Sequence, residues 1–252
     1  MTRLICVSSG KGGVGKTTVT SNLGSALADF GIDAVVVDAN LTNPNLGFHL
    51  GIPLYPTTLH DVLRGEAHIT EATYIHGSGL RVVPAGLSVD DLRNTSPDRM
   101  EEVLMEAVGE PEIVLIDSAA GLGQESINSI ELADELLTVT NPNLPAVTDA
   151  LKTVNIAEDA GTHVLGTVLN RVKGKSHELS LEEVEDMIGH PVVAEMPEHD
   201  DVERATSEKT TITGQSPNHH VSQKFRALAA DIAGIDYEPR KNLFDRVMDL
   251  FR

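Results

Sequence analysis

The chain has no tryptophan, five phenylalanines, three tyrosines and a single cysteine. One cysteine excludes an internal disulfide and any metal site built from several thiolates of the same chain. Cys6 sits inside the apolar run Leu4–Val7, so a buried core position is expected for it. Basic residues are scarce as well. Nineteen Lys and Arg, only eight of them lysines, stand against 38 Asp and Glu, a net charge of −19 over 252 residues. Such a field repels nucleic acid, and no Lys/Arg run breaks it, so no DNA partner is expected. No apolar stretch approaches the roughly 20 residues that cross a bilayer. The first residues enter a strand pattern, not a charged-then-apolar leader, and a cytoplasmic location is the expectation. The acidity fits two readings equally: a surface adapted to high salt, or an ordinary acidic cytosolic protein.

What the chain does have is concentrated near its start. Gly10, Lys11, Gly12, Gly13, Val14, Gly15, Lys16, Thr17 and Thr18 follow one another directly. Four glycines let the backbone curl so that several N–H groups can face phosphate oxygens. Lys16 offers a cation for the β- and γ-phosphates, and the Thr17 hydroxyl can ligate Mg²⁺. The flanks suit the motif: an apolar strand run before it, and helical spacing from Val19 to Phe30 after it. A helix N-terminus at that point adds its own partial positive charge. This is a nucleoside-triphosphate site.

Further apolar runs recur at Ala34–Val37, Leu80–Val83, Ile113–Ile116, Leu136–Val139, Val164–Leu169 and Val192–Ala194. They do not alternate, which suits strands covered on both faces. Helical patterns lie between them near 97–108, 145–158, 180–189 and 217–233. The expectation is an α/β fold, a single doubly wound, mostly parallel sheet flanked by helices. Ligands in such sheets bind beyond the C-terminal strand ends. Two runs end there in a carboxylate, Asp38 and Asp117. Hard Mg²⁺ prefers oxygen and keeps waters, so these aspartates are expected to hold its water shell while Thr17 binds directly. Gly121, four residues past Asp117, is a candidate for a backbone N–H that senses the γ-phosphate.

With these residues in place, a family resemblance appears. A lysine at the second position of the loop, Lys11, marks the deviant-Walker group, and the chain resembles archaeal MinD-type ATPases of the MinD/ParA family. The likeness runs through 37–51, 58–65, 82–87, 116–123, 139–152 and 165–172, within residues 1 to about 235. The resemblance implies an ATPase with ATP and Mg²⁺ as cofactors, and a homodimer in the ATP state with Lys11 reaching the partner's phosphates in trans. It also makes Asn170 and Arg171, after a strand, the adenine-recognition pair, with Pro197 and Glu198 lying along the base. Where the family has a second aspartate, this chain has Asn40. An amide cannot accept a proton, so water activation should suffer. Either the enzyme is naturally slow or the chain was altered to hold ATP unhydrolysed, and the second is favoured. Relatives that bridge an iron–sulfur cluster across a dimer are excluded by the lack of cysteines.

The end of the chain is different in character. After a linker at 236–241, residues 242–252 place Leu243, Phe244, Val247, Met248, Leu250 and Phe251 within an arc of about 160° at helical spacing. Residues 240–252 hold four basic and two acidic side chains, locally positive on a strongly acidic body. An amphipathic helix of this kind suits an anionic membrane surface, though about three turns bind weakly unless paired. Terminal amphipathic helices more often pack on protein, and the resemblance is what favours lipid. The implied function is an ATP-dependent switch, peripherally membrane-associated, that organises cell division or polar motility and chemosensory machinery through an unidentified effector or cargo. The alternative is a soluble ParA-like adaptor whose tail binds a protein. Deleting residues 242–252 is expected to abolish liposome binding and leave ATP binding intact; a truncated chain that still pellets with liposomes would remove the tail as anchor.

Overall fold

In the computed structural model, which describes residues 2–51, 55–88, 90–91, 95, 99–107 and 111–238, the apolar runs stand side by side in one sheet. Its strands are β1 (Arg3–Ser8), β2 (Ala34–Asp38), β3 (Tyr74–Ile75), β4 (Arg81–Val83), β5 (Ile113–Asp117), β6 (Glu135–Thr140), β7 (His163–Val172) and β8 (Val192–Pro197). Their order is β3-β4-β2-β5-β1-β6-β7-β8. All neighbours are parallel except β3, which runs antiparallel to β4. The expected mostly parallel, doubly wound sheet is what forms.

Both faces are covered, which is why the strand runs do not alternate in polarity. Leu4 and Cys6 of β1, Val35 and Val37 of β2, and Val114 and Ile116 of β5 face one layer. That layer is built from α3 (Leu59–Arg64), α4 (Met100–Ala107), α5 (Gln124–Glu131), α6 (Leu144–Ala160) and α7 (Leu181–Ile188). Ile5, Val7, Val36, Ile113 and Leu115 face the other. There lie α1 (Lys16–Asp29), α2 (Leu46–His49), α8 (Asp200–Ser207), α9 (Ile212–Gln215) and α10 (His220–Ala233). Cys6 is fully buried, and burial pushes its thiol up to about 12; it is an inert core residue.

Register positions the chemistry. Val7 pairs with Asp117, and Asp38 pairs with Asp117 on the next strand. Two carboxylates therefore end adjacent parallel strands at the same level, next to the loop that follows β1. The helix expected from Val19 begins earlier, at Lys16, because Gly15 in the left-handed region (φ 93°) turns the chain directly into it. This puts Lys16 and Thr17 in the first turn. Strand β7 also runs past its apolar stretch to Val172, so Asn170 and Arg171 stand within the strand end and not after it. Arg171 takes φ 58° there, a left-handed conformation uncommon for a residue with a side chain.

Short elements make up the rest of the additions, among them β3, α2, α5, α8 and α9. At the far end, Tyr237 packs edge-on against Phe30 at 5.4 Å, with the Arg226 guanidinium over both rings at 5.0 and 5.9 Å. The first residues of the expected linker are thus still joined to α1 and α10. The amphipathic segment 242–252, with Leu243, Phe244, Val247, Met248, Leu250 and Phe251, lies outside the described residues. Among those described, no helix is long and apolar enough to cross a membrane.

Candidate nucleotide site

The glycine-rich loop joins β1 to α1, and at two of its glycines something else occupies the space a side chain would need. At Gly10 a Cβ would come 2.1 Å from the Asp149 carbonyl oxygen of α6. At Gly15 it would meet the Asn170 amide nitrogen at 2.3 Å, on top of the strain of φ 93°. Asn170 donates from Nδ2 to the Val14 carbonyl at 2.7 Å, and Asn141 donates to the same carbonyl at 3.3 Å and to the Asn170 carbonyl at 3.0 Å. Two asparagines from the ends of β6 and β7 therefore pin the loop. Asn141 was not singled out by its sequence; its position just past Thr140 at the end of an apolar run is the signal that could have found it.

Beneath the loop is a buried charge cluster. Lys16 Nζ lies 2.9 Å from Asp117 Oδ1, with the two side chains 6% and 1% exposed. The Thr17 hydroxyl donates to Asp117 Oδ2 at 2.7 Å, and Thr20 donates to Oδ1 at 3.2 Å. One carboxylate thus collects both phosphate-binding side chains of the loop. Asp38 accepts the backbone N–H groups of Asn40 at 3.2 Å, Asn45 at 3.1 Å and Leu46 at 3.0 Å. Burial, and then the Asp117 charge, still push the Asp38 carboxyl up from 3.8 to about 7. Between those values the folded chain holds a proton that the unfolded chain has released. On this group's account stability falls as pH rises through that window.

Above this floor is a cavity of about 530 Å³ lined by Gly13, Val14, Gly15, Lys16, Thr17 and Thr18, together with Asn40, Asn170, Arg171, Pro197 and Glu198. The structure brings residues 13–18 of the loop and the four residues expected at the base into one space, and leaves Lys11 and Gly121 outside its lining. Phe225, Met196, Val202 and His199 complete an apolar side that sequence reading left unassigned; their positions on amphipathic helices and a strand carry no local signal of ligand contact. Gly10 and Gly12 do not line the cavity. Lys11 is exposed at the loop's rim and pairs with no acid among the described residues. Gly121, expected to sense phosphate, donates its N–H to the Ser9 carbonyl at 3.0 Å, so it would have to release that bond to serve. Asn40 turns both ends of its amide into its own loop: Nδ2 donates to the Asn43 carbonyl at 2.6 Å, and Oδ1 accepts the Asn43 N–H at 3.2 Å.

The donors fit the nucleotide and ion expected from sequence. Thr17, Asp38 and Asp117 offer only oxygen to a cation, the preference of Mg²⁺ and not of softer metals. Lys16 and the loop N–H groups at the start of α1 suit the phosphates.

Comparison with known proteins agrees with this geometry. Residues 5–212 match the family model of the CobQ/CobB/MinD/ParA nucleotide binding domain. An uncharacterized ATP-binding protein of Methanocaldococcus jannaschii is 38% identical over 234 residues, 93% of this chain and 89% of that protein. The septum site-determining protein MinD of Thermotoga maritima is 31% identical over 245 residues, covering 93% of this chain and 89% of its own. MinD of Pyrococcus horikoshii, solved in complex with Mg-ADP, superposes with a TM-score of 0.88 at 33% identity, over 92% of this chain and 96% of that one.

A divalent cation near Asp38 favours its ionised form. At pH 7, Mg-nucleotide binding is therefore expected to release roughly half a proton from this carboxylate. Calorimetry in buffers of different ionisation enthalpy should show the release in the native chain and its loss in Asp38→Asn. Equal proton release from both would contradict the assignment.

Proposed function

The chain belongs to the CobQ/CobB/MinD/ParA nucleotide-binding family and is an ATPase of the MinD type that uses ATP and Mg²⁺, and from that premise we propose a dimerising switch that associates with a membrane surface in its ATP state. The observation that carries the reading is the contrast between two lysines of one loop. Lys16 is buried and engaged with Asp117, whereas Lys11 stands exposed without an acidic partner among the described residues. An exposed cation at the rim of a phosphate site, with no acidic partner among the described residues, is suited to a second subunit's phosphates.

In this reading each subunit binds its own nucleotide through Lys16, Thr17 and the loop N–H groups, with Asn170, Arg171, Pro197 and Glu198 around the base. Asp38 and Asp117 hold water on the cation, which when bound neutralises phosphate charge. Lys11 acts in trans, and Gly121 exchanges its bond to Ser9 for the terminal phosphate. Dimerisation then brings two copies of the 242–252 segment to one surface, where weak individual affinities combine. Release follows hydrolysis. The role this serves is positional, in division or in polar motility and chemosensory assemblies, with a protein effector or cargo.

Asn40 sets the lifetime of the ATP state. Its amide is spent on Asn43 and cannot take a proton from water. An aspartate at 40 could keep the Asn43 N–H but would be repelled by the Asn43 carbonyl, freeing one carboxylate oxygen toward the cavity. A positioned general base is worth ~10²-fold or more.

The test is pelleting with anionic liposomes over time after adding Mg-ATP, with Mg-ADP as the control. The chain with Asn40 should pellet with Mg-ATP alone and stay bound; Asn40→Asp should pellet, hydrolyse ~10²-fold faster and leave. No pelleting in either nucleotide would replace the membrane switch with a soluble adaptor whose tail binds protein.

A further inference from the structure

Away from the phosphates, three histidines meet where α8 and α10 begin. His199 is the N-cap of α8, His219 the N-cap of α10, and His220 its first residue. The ring centroids are 4.6 Å apart for 199 and 219, 5.0 Å for 199 and 220, and 4.4 Å for 219 and 220. One ring nitrogen from each lies within 4.8 Å of the other two. Asp201 adds a carboxylate, its Oδ2 standing 3.3 Å from His219 Nε2 and 3.7 Å from His199 Nδ1.

Helix capping explains part of this arrangement. His199 Nδ1 accepts the Asp201 N–H at 3.1 Å, and His219 Nδ1 accepts the Val221 N–H at 3.3 Å. Capping does not explain why His220, which caps nothing and is exposed, also belongs to the group. Three imidazoles this close repel one another once protonated. Burial and the neighbouring rings hold His219 and His220 below the usual imidazole range, leaving neutral rings with lone pairs at neutral pH.

We propose that His199, His219 and His220, with Asp201 beside them, form a binding site for a borderline divalent cation such as Zn²⁺, Co²⁺ or Ni²⁺. Three imidazoles and a carboxylate are a four-coordinate donor set for these ions, and Mg²⁺ has little affinity for nitrogen. The site is therefore chemically separate from the oxygen-lined floor under the loop. Metal–nitrogen bonds near 2.1 Å place tetrahedral ligands roughly 3.4 Å apart. His220 is exposed and makes no cap bond, so its ring is the one that moves to reach that spacing. A neutral ring that binds through Nε2 carries its proton on Nδ1, so ligation by His199 or His219 opens that ring's cap bond. The site is consequently weaker than a preformed one. It also touches the nucleotide cavity, since His199, Val202 and Val221 belong to the cavity wall.

The test uses the full chain without an affinity tag, stripped of metal and titrated with Co²⁺ in excess Mg²⁺, then with Zn²⁺. One Co²⁺ per chain, with the intense visible ligand-field bands of a four-coordinate ion and displacement by Zn²⁺, is the expected result. His220→Ala removes an exposed ring that caps nothing, and His219→Asn keeps a side chain able to cap α10. Each should weaken Co²⁺ binding at least ~10-fold, while His190→Ala, a surface histidine paired with Glu158 at 2.9 Å, should not. Absence of stoichiometric Co²⁺ binding, or binding that survives both cluster substitutions unchanged, would overturn the proposal.

Discussion

Two carboxylates end neighbouring strands in register, and one buried ammonium faces them. The arrangement of Asp38, Asp117 and Lys16 is the constraint on which the site depends. A parallel sheet delivers Asp38 and Asp117 to the same level, and the turn at Gly15 delivers Lys16 and Thr17 over them. With both acids ionised the cluster would carry an unbalanced buried negative charge, which is costly in a poorly solvating interior. Without nucleotide the chain avoids that cost by keeping Asp38 protonated up to about 7. The fold therefore holds two carboxylates and one ammonium at a place where a divalent cation would offset the second carboxylate's charge.

The loop that covers this cluster is held from outside as firmly as from below. Asn141 and Asn170 share the Val14 carbonyl, and the backbone of α6 at Asp149 abuts Gly10. Strand ends, loop and helix start are thus one rigid unit, while the elements expected to respond to the terminal phosphate are tied by replaceable bonds. Gly121 is held by one bond to Ser9, and the loop after Asp38 by backbone donors to that carboxylate and by Asn40 to Asn43.

Much of this was legible in the residues. Fully buried parallel strands advertise themselves as unbroken Val/Ile runs, and the phosphate loop is dense enough in glycine and lysine to be read alone. The carboxylates at 38 and 117 were found because each ends such a run. Less was visible where geometry is assembled from distant segments. Asn170 was read as a base contact; it lines the cavity and also clamps the loop, a bond across 156 residues. Polar helices such as α5, QESINSIE in sequence, hold too few apolar residues to stand out by composition, although the two isoleucines fall on one face. The meeting of His199 with His219 and His220 has no spacing signature, because two helix starts create it.

The two lysines of the loop differ in setting: Lys16 is buried against Asp117, and Lys11 is exposed with no acidic partner among the described residues. On the proposed reading Lys11 completes a partner's site, and the light-scattering mass of the chain in Mg-ATP, unsubstituted against Lys11→Ala, tests this. The unsubstituted chain should double its mass with Mg-ATP and not with Mg-ADP. Lys11→Ala should bind nucleotide yet remain at the single-chain 27.0 kDa. A Lys11→Ala chain that dimerises with Mg-ATP as readily as the unsubstituted one would contradict that reading.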